Sequence, residues 1–537
     1  MRRDADSFPG STVEQHGEHN SFDVASHGGL VFKVSGPPMT SPAHQVADRV
    51  VMPGHLGLYY GGRWHEPIQG KYAETHDPST GAAIASVAEA SDEDAIAAIA
   101  AARSGFELWR QVHPLERARI LRRIAAMLRE HAAEIALLDA YNGGNPVRDL
   151  MADANIAADL FELHAGLVTE MKGNSIPMGP GALNFSIREP IGVVARITAF
   201  NHPFMFAAGR AAAPLAAGNA VIIKPPQQAP LSTLRLAEMI GDMFPPGTFN
   251  VLTGADVGAV LSSHPGIDMV TLIGSVPTGR KVYQSAASTI KPVILELGGK
   301  NALIACADAD PDEVAEAAVQ GMNYAWCGQS CGSLSRLFLH DAIHEAVLTR
   351  LKTKIAHYKP GPPGDPSTTM GAIVNKRQYD SILGHIDSAR AEGAQLICGG
   401  GRPTDPALSH GWYIEPTVFT GVTQRMRIAQ EEVFGPVQAV LRWNDEAAML
   451  RDVNSVELGL TCAVFSNDLN TAHRIAAAVD VGFLWINTVS AHYVGAPFGG
   501  VKQSGIGRDE CLGELLSFTR EKNIHIKLRP QPRLQSA

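Results

Sequence analysis

Between residues 191 and 300, short apolar runs alternate with helix-like segments, and no other stretch restricts the fold as tightly. Strand-like runs fall at 192–197, 220–224, 248–252, 269–273 and 292–297, with helical stretches at 205–217, 231–243, 257–263 and 279–288 between them. Strands covered on both faces read as continuous apolar runs, and strands joined through helices lie parallel. Five such strands predict a mostly parallel α/β sheet of the nucleotide-binding type, with ligands at the carboxyl ends of its strands.

The remaining chain is organised around this unit. At ~150 residues per domain, 537 residues give three or four domain equivalents. Residues 1–54 are rich in Ser, Gly, His and Pro without helical or strand period, and predict a mobile extension. Met39 and Met52 lie within it, and a later translation start is an open expectation. His16, His19, His27 and His44 lack accompanying Cys or Asp spacing, so no metal is expected. Leu58-Tyr59-Tyr60-Gly61-Gly62-Arg63-Trp64 reads as a hairpin, followed by a turn at Asp77-Pro78-Ser79-Thr80-Gly81. A long amphipathic helix starts at Pro114. Its apolar positions run from Ile120, Leu121 and Ile124 to Ile135 and Leu138, and it ends before Gly143-Gly144. That stripe is core.

Composition excludes several functions. With 45% apolar and 18% charged residues the chain is globular, and its net charge of −9 argues against nucleic acid or an anionic membrane as partner. Six Cys in this length are not a disulfide framework, so reduced thiols and a cytoplasmic setting are expected. The most apolar region, 191–223, is interrupted by Arg196, Asn201, His202, Pro203, Arg210, Pro214 and Asn219, unlike a membrane span. Residues 4–28 lack the apolar stretch of a signal peptide.

Candidate chemistry begins at Cys331, within Trp326-Cys327-Gly328-Gln329-Ser330-Cys331-Gly332. Small neighbours let a substrate approach its sulfur, although a lone Cys is more often buried filler. Glu296-Leu297-Gly298-Gly299-Lys300 follows a strand-like run, so Glu296 is either a desolvated general base or a salt-bridged loop residue. Asn201, in Thr198-Ala199-Phe200-Asn201-His202-Pro203, offers an amide to an oxyanion or simply satisfies the turn before Pro203. Lys224 ends a buried run and suits ribose or phosphate. Gly274-Ser275-Val276-Pro277-Thr278-Gly279 joins a strand to a helix, where a pyrophosphate meets backbone N–H groups. It is not G-x-G-x-x-G and is weak by itself.

Together these motifs occur in the order found in the aldehyde dehydrogenase superfamily. The resemblance continues through Glu431-Glu432-Val433-Phe434-Gly435-Pro436 and Pro497-Phe498-Gly499-Gly500-Val501-Lys502-Gln503-Ser504-Gly505, and covers roughly residues 55–530. It implies a Rossmann-type parallel-sheet cofactor domain at 55–172 and 191–298 and a second α/β catalytic domain at 299–500. A small β oligomerisation element is implied at 173–190 and 510–530. By resemblance Cys331 is the nucleophile, Glu296 the general base, and Asn201 with the Cys331 N–H the oxyanion hole. Lys224, Gln227, Gly274, Ser275, Gly279, Leu297, Glu432 and Phe434 fall on cofactor-binding positions. The implied reaction is NAD(P)-dependent oxidation of an aldehyde to its acid through a Cys331 thioester. The CoA-acylating branch typically lacks the base, so Glu296 favours hydrolysis.

The sequence departs from the family pattern in two places. Gln227 stands where relatives commonly have an acidic residue that repels a 2′-phosphate, so NAD is expected, with NADP as alternative. Gly209 and Ala325 replace aromatic residues common in relatives, which predicts a wide pocket and a bulky or aromatic aldehyde. Phe204, Phe206, Trp326, Ser330, His492 and Tyr493 are expected to line it. A homodimer or homotetramer is implied, through a hairpin at 173–189 and a strand within 516–528 added at the partner's sheet edge. Competing readings are a CoA-acylating or semialdehyde-specific dehydrogenase, a Cys-dependent esterase, and a non-enzymatic protein of this fold.

Overall fold

Apolar runs without a polar face become central strands, and Val193–Ile197, Ala220–Lys224 and Met269–Ile273 are buried at every position. The computed structural model describes residues 49–529, so most of the 1–54 extension, with its four His residues, lies outside the described residues. The five expected runs pair in parallel, in the order Phe249–Val251, Ala220–Lys224, Val193–Ile197, Met269–Ile273, Val293–Glu296. The hairpin of Leu58–Tyr60 and Arg63–His65 extends one edge, and Gly505–Ile506 pairs antiparallel at the other.

Helices cover both faces of this sheet. Those at Pro203–Ala217 and Leu231–Ile240 begin and end close to their sequence-based limits. The long helix from Pro114 is instead two, Pro114–Glu130 and Ala132–Gly143, broken at His131. His131 Nδ1 bonds Glu134 at 2.9 Å, and Glu134 binds Arg235 of another helix at 2.6 Å, so a side-chain tether redirects the chain there.

A second sheet of seven strands is parallel except at one edge. Its order is Gln395–Cys398, Thr417–Thr420, Val437–Trp443, Arg336–His340, Ala302–Ala305, Thr461–Phe465, Phe483–Ile486. The chain passes between the sheets through Leu297-Gly298-Gly299-Lys300-Asn301, which therefore joins the end of Val293–Glu296 to the start of Ala302–Ala305.

The third sheet comprises Ser175–Ile176, Ala182–Pro190 and Thr519–Lys527. The C-terminal strand pairs with its own chain, from Thr519 opposite Pro190 to Lys527 opposite Ala182. Its outer edge is unpaired among the described residues, and Leu183, Ile187 and Ile526 are exposed.

Candidate active site

A cavity of about 670 Å³ opens at the carboxyl ends of the first-sheet strands. Asn201, Glu296 and Cys331, which lie far apart in sequence, all line it. Each arrives from a different element: Asn201 after Val193–Ile197, Glu296 as the last residue of its strand, Cys331 on the loop before Arg336–His340.

Two devices fix the Cys331 loop. Asn301 Nδ2 donates to the Cys331 carbonyl at 2.7 Å and to the Ser333 carbonyl at 3.0 Å, while its Oδ1 accepts from the Thr461 N–H at 3.0 Å. One amide thus ties the Cys331 loop to the second sheet. Gly328, at φ +65, is the other device, because a Cβ there would stand 2.2 Å from the Gly435 carbonyl oxygen. The loop before Cys331 and the loop after Phe434 therefore meet backbone to backbone. Gly328→Ala is expected to cost about 2–4 kcal/mol of stability, combining left-handed strain with a backbone clash. A denaturant melt checks this, and an unchanged midpoint would refute it.

The electrostatics separate Glu296 and Cys331. Burial pushes the Glu296 carboxyl up to about 8, partly offset by its hydrogen bond with Cys331 and the nearby Arg210 charge. Burial and the adjoining Glu296 carboxylate hold the Cys331 thiol well above its ordinary value. The resting pair is therefore a neutral thiol beside a carboxyl that titrates near the working range. Behind them lies a buried charge cluster. Arg210 Nη2 donates to Glu510 Oε1 at 3.0 Å and its Nη1 lies 3.7 Å from Asp509, while Glu514 is 3.5 Å from His164 and 3.9 Å from Arg196.

Lys224, Gln227, Gly274, Ser275, Glu432 and Phe434 line the same cavity. Ser275 caps the helix Val276–Ala287, and its Oγ lies 3.0 Å from Thr278 Oγ1, so a helix N-terminus opens onto the cavity. Glu432 accepts from the Gly299 N–H at 2.9 Å, and a Cβ on Gly298 would meet its Oε2 at 2.0 Å. Gly298 thus leaves room for that carboxylate. Phe434, at φ +51, packs edge-on against Phe200 at 5.6 Å, and Gln378 Nε2 donates to the carbonyls of Val433 and Phe434. The sequence reading missed Asn301 and Gln378, whose polar character carries no motif.

Two of the expected cofactor positions pack against each other. Gly279 and Leu297 do not line the cavity. A Cβ on Gly279 would stand 2.6 Å from Leu297 Cδ1, so this glycine lets its helix close on the residue after Glu296.

None of Phe204, Phe206, Trp326, Ser330, His492 and Tyr493 lines this cavity. Phe204 is fully buried in the helical core, which corrects its assignment. Two residues apart on a helix point roughly 200° apart, so Phe204 and Phe206 face different ways. Phe206 and Trp326 instead flank His202, with ring centroids 5.4 and 5.2 Å from it. His202 itself bonds Asp153 at 3.0 Å through Nδ1. His492 stacks on Phe483 at 5.8 Å and lies 3.6 Å from Glu510, while Tyr493 is 72% exposed. Gly209 opens no passage: a Cβ there would meet Leu160 Cδ1 at 2.8 Å, so a neighbouring helix occupies the space. Ala325 is buried.

The sequence profile of the aldehyde dehydrogenase family matches residues 64–524, and the chain belongs to that family. It is 48% identical over 486 residues to the aldehyde dehydrogenase tropH of Talaromyces stipitatus, covering 89% of this chain and 94% of that protein. A betaine aldehyde dehydrogenase from Staphylococcus aureus, solved in complex with NAD+, superposes with a TM-score of 0.87 at 33% identity, covering 92% and 99% of the two chains. PnpE from Pseudomonas sp. WBC-3 superposes with a TM-score of 0.86 at 34% identity, covering 89% and 99%. The protein is an aldehyde dehydrogenase of α/β fold. Among the described residues, no helix is long and apolar enough to cross a membrane.

Proposed function

We propose that this enzyme oxidises a bulky or aromatic aldehyde to the carboxylic acid with NAD, through a thioester on Cys331 hydrolysed by water that Glu296 activates. The observation that carries the reading is the convergence of Cys331, Glu296 and Asn201 on one cavity with Lys224, Ser275, Glu432 and Phe434. The donor set fits a dinucleotide: a buried Lys and a helix N-terminus suit ribose and pyrophosphate, and a carboxylate beside an aromatic ring suits the nicotinamide riboside. Bound there, the nicotinamide supplies a hydride acceptor.

Cys331 loses its proton to Glu296 as its sulfur adds to the aldehyde carbonyl. Carbonyl oxygen takes up the negative charge, and the Asn201 amide and Cys331 N–H stabilise it. Departure of the hydride leaves a thioester. Glu296, having passed the thiol proton to bulk water, takes a proton from a second water as that water's oxygen attacks the thioester carbon; the C–S bond breaks, the sulfur recovers a proton from Glu296 and the acid leaves. His202, the residue after Asn201, meets the rings of Phe206 and Trp326 outside the cavity, and this aromatic group is what supports an aromatic aldehyde. The open edge of Thr519–Lys527, with Leu183, Ile187 and Ile526 beside it, supports a homo-oligomer.

Reduced-nicotinamide formation across aliphatic and aromatic aldehydes, with and without coenzyme A, tests this. Turnover is expected without coenzyme A, with kcat/KM for benzaldehyde and its relatives above that for acetaldehyde. Strict dependence on coenzyme A would establish an acylating enzyme instead, and the reverse aldehyde order would remove the aromatic assignment.

A further inference from the structure

Pro226 and Gln227 line the main cavity and also a smaller crevice, which Glu89, Thr253 and Gly254 share. Gln227 Nε2 donates to Glu89 Oε1 at 3.1 Å, across a separation of 138 residues. Glu89 is held in place by its backbone: its N–H donates to the Lys71 carbonyl, and the following Ala90 N–H donates to the Thr253 carbonyl. A carboxylate therefore stands one amide away from the cavity, although position 227 itself is neutral.

We propose that Glu89, acting through the Gln227 amide, supplies the negative charge that excludes a 2′-phosphate and makes the enzyme select NAD over NADP. This rests on the reading of the cavity as a dinucleotide site with the adenosine ribose at Lys224 and Gln227. With one N–H of its amide bonded to Glu89, Gln227 offers its carbonyl oxygen as an acceptor beside that carboxylate. A ribose 2′-hydroxyl donates to that oxygen, whereas a phosphate presents only acceptors and carries charge of the same sign as Glu89. Lys224 does not offset the repulsion freely. Its Nζ donates to the Pro225 carbonyl at 3.1 Å, and burial lowers its pKa to about 8, which the Glu89 and Asp256 carboxylates only partly offset.

Calorimetric titration of the full chain with NAD and with NADP tests this directly, because it reads affinity rather than turnover. The wild type is expected to bind NAD more tightly. Glu89→Gln is expected to lower the NAD-to-NADP affinity ratio about tenfold, a modest figure for half-exposed like charges. Adding Gln227→Glu to that variant is expected to restore the preference. Should Glu89→Gln fail to fold, the wild type still decides: salt screens repulsion, so the ratio is expected to fall between roughly 50 and 500 mM salt. A ratio unmoved by Glu89→Gln, a wild-type preference for NADP, or a ratio that rises or stays fixed with salt would overturn the proposal. Binding of neither dinucleotide to the wild type would overturn the site reading instead.

Discussion

Cys331→Ala is expected to lose all measurable turnover, whereas Glu296→Gln should keep a single burst of reduced nicotinamide, about one equivalent per site, and lose steady-state turnover by ~10²–10⁴-fold. The difference follows from when each group acts. Without sulfur no thioester forms, so no hydride leaves. The amide that Glu296→Gln introduces still permits slow addition of the thiol but cannot take a proton from water, so the acyl group accumulates on Cys331. Intact mass spectrometry of the quenched Glu296→Gln enzyme should show the added acyl mass. Because burial raises the Glu296 carboxyl to about 8, its basic form grows as pH rises through that value. Wild-type kcat should therefore climb between about pH 6 and 9, and the Glu296→Gln residual rate should not. Equal loss of burst and steady state in both variants would show that Glu296 serves only to activate the thiol.

The alternation between residues 191 and 300 is legible because each central first-sheet strand is buried on both faces, and continuous apolar runs tolerate no other placement. The convergence of Asn201, Glu296 and Cys331 on one cavity is legible for a different reason: Asn201 follows a strand, Glu296 ends one and Cys331 precedes one, each within a recognisable motif. The helix break at His131 is not, because it depends on a tether from Glu134 to Arg235 across 101 residues. Gly209 misleads in the same way. Loss of a side chain reads as space, but here Leu160 of another helix fills it. The Glu89–Gln227 bond and the Asn301 clamp are likewise contacts between distant segments, made by polar residues whose types alone signal nothing. Local pattern therefore reveals which strand ends carry chemistry, and long-range packing determines what surrounds them.

That packing places a buried cation, Arg210, outside the cavity lining. Arg210 sits 3% exposed among Asp509, Glu510 and Glu514, and its cation, with Arg196 and His164 beside Glu514, lets three carboxylates share one buried site. Even with it, burial pushes Asp509 up to about 6, while His164 and the two arginines help hold Glu514 down at about 2. Arg210→Met preserves much of the volume but leaves the acids uncompensated, and should cost about 3–5 kcal/mol at about pH 8. The cost should shrink at about pH 5, where Asp509 accepts a proton and the missing charge matters less. Denaturant unfolding at the two pH values checks both the size and the sign. A second readout separates charge from packing. The Arg210 charge lowers the Glu296 carboxyl, so folded Arg210→Met should show its kcat–pH rise displaced to higher pH, and Arg210→Lys should largely restore it. A profile that stays in place despite a lowered unfolding midpoint would confine Arg210 to structure.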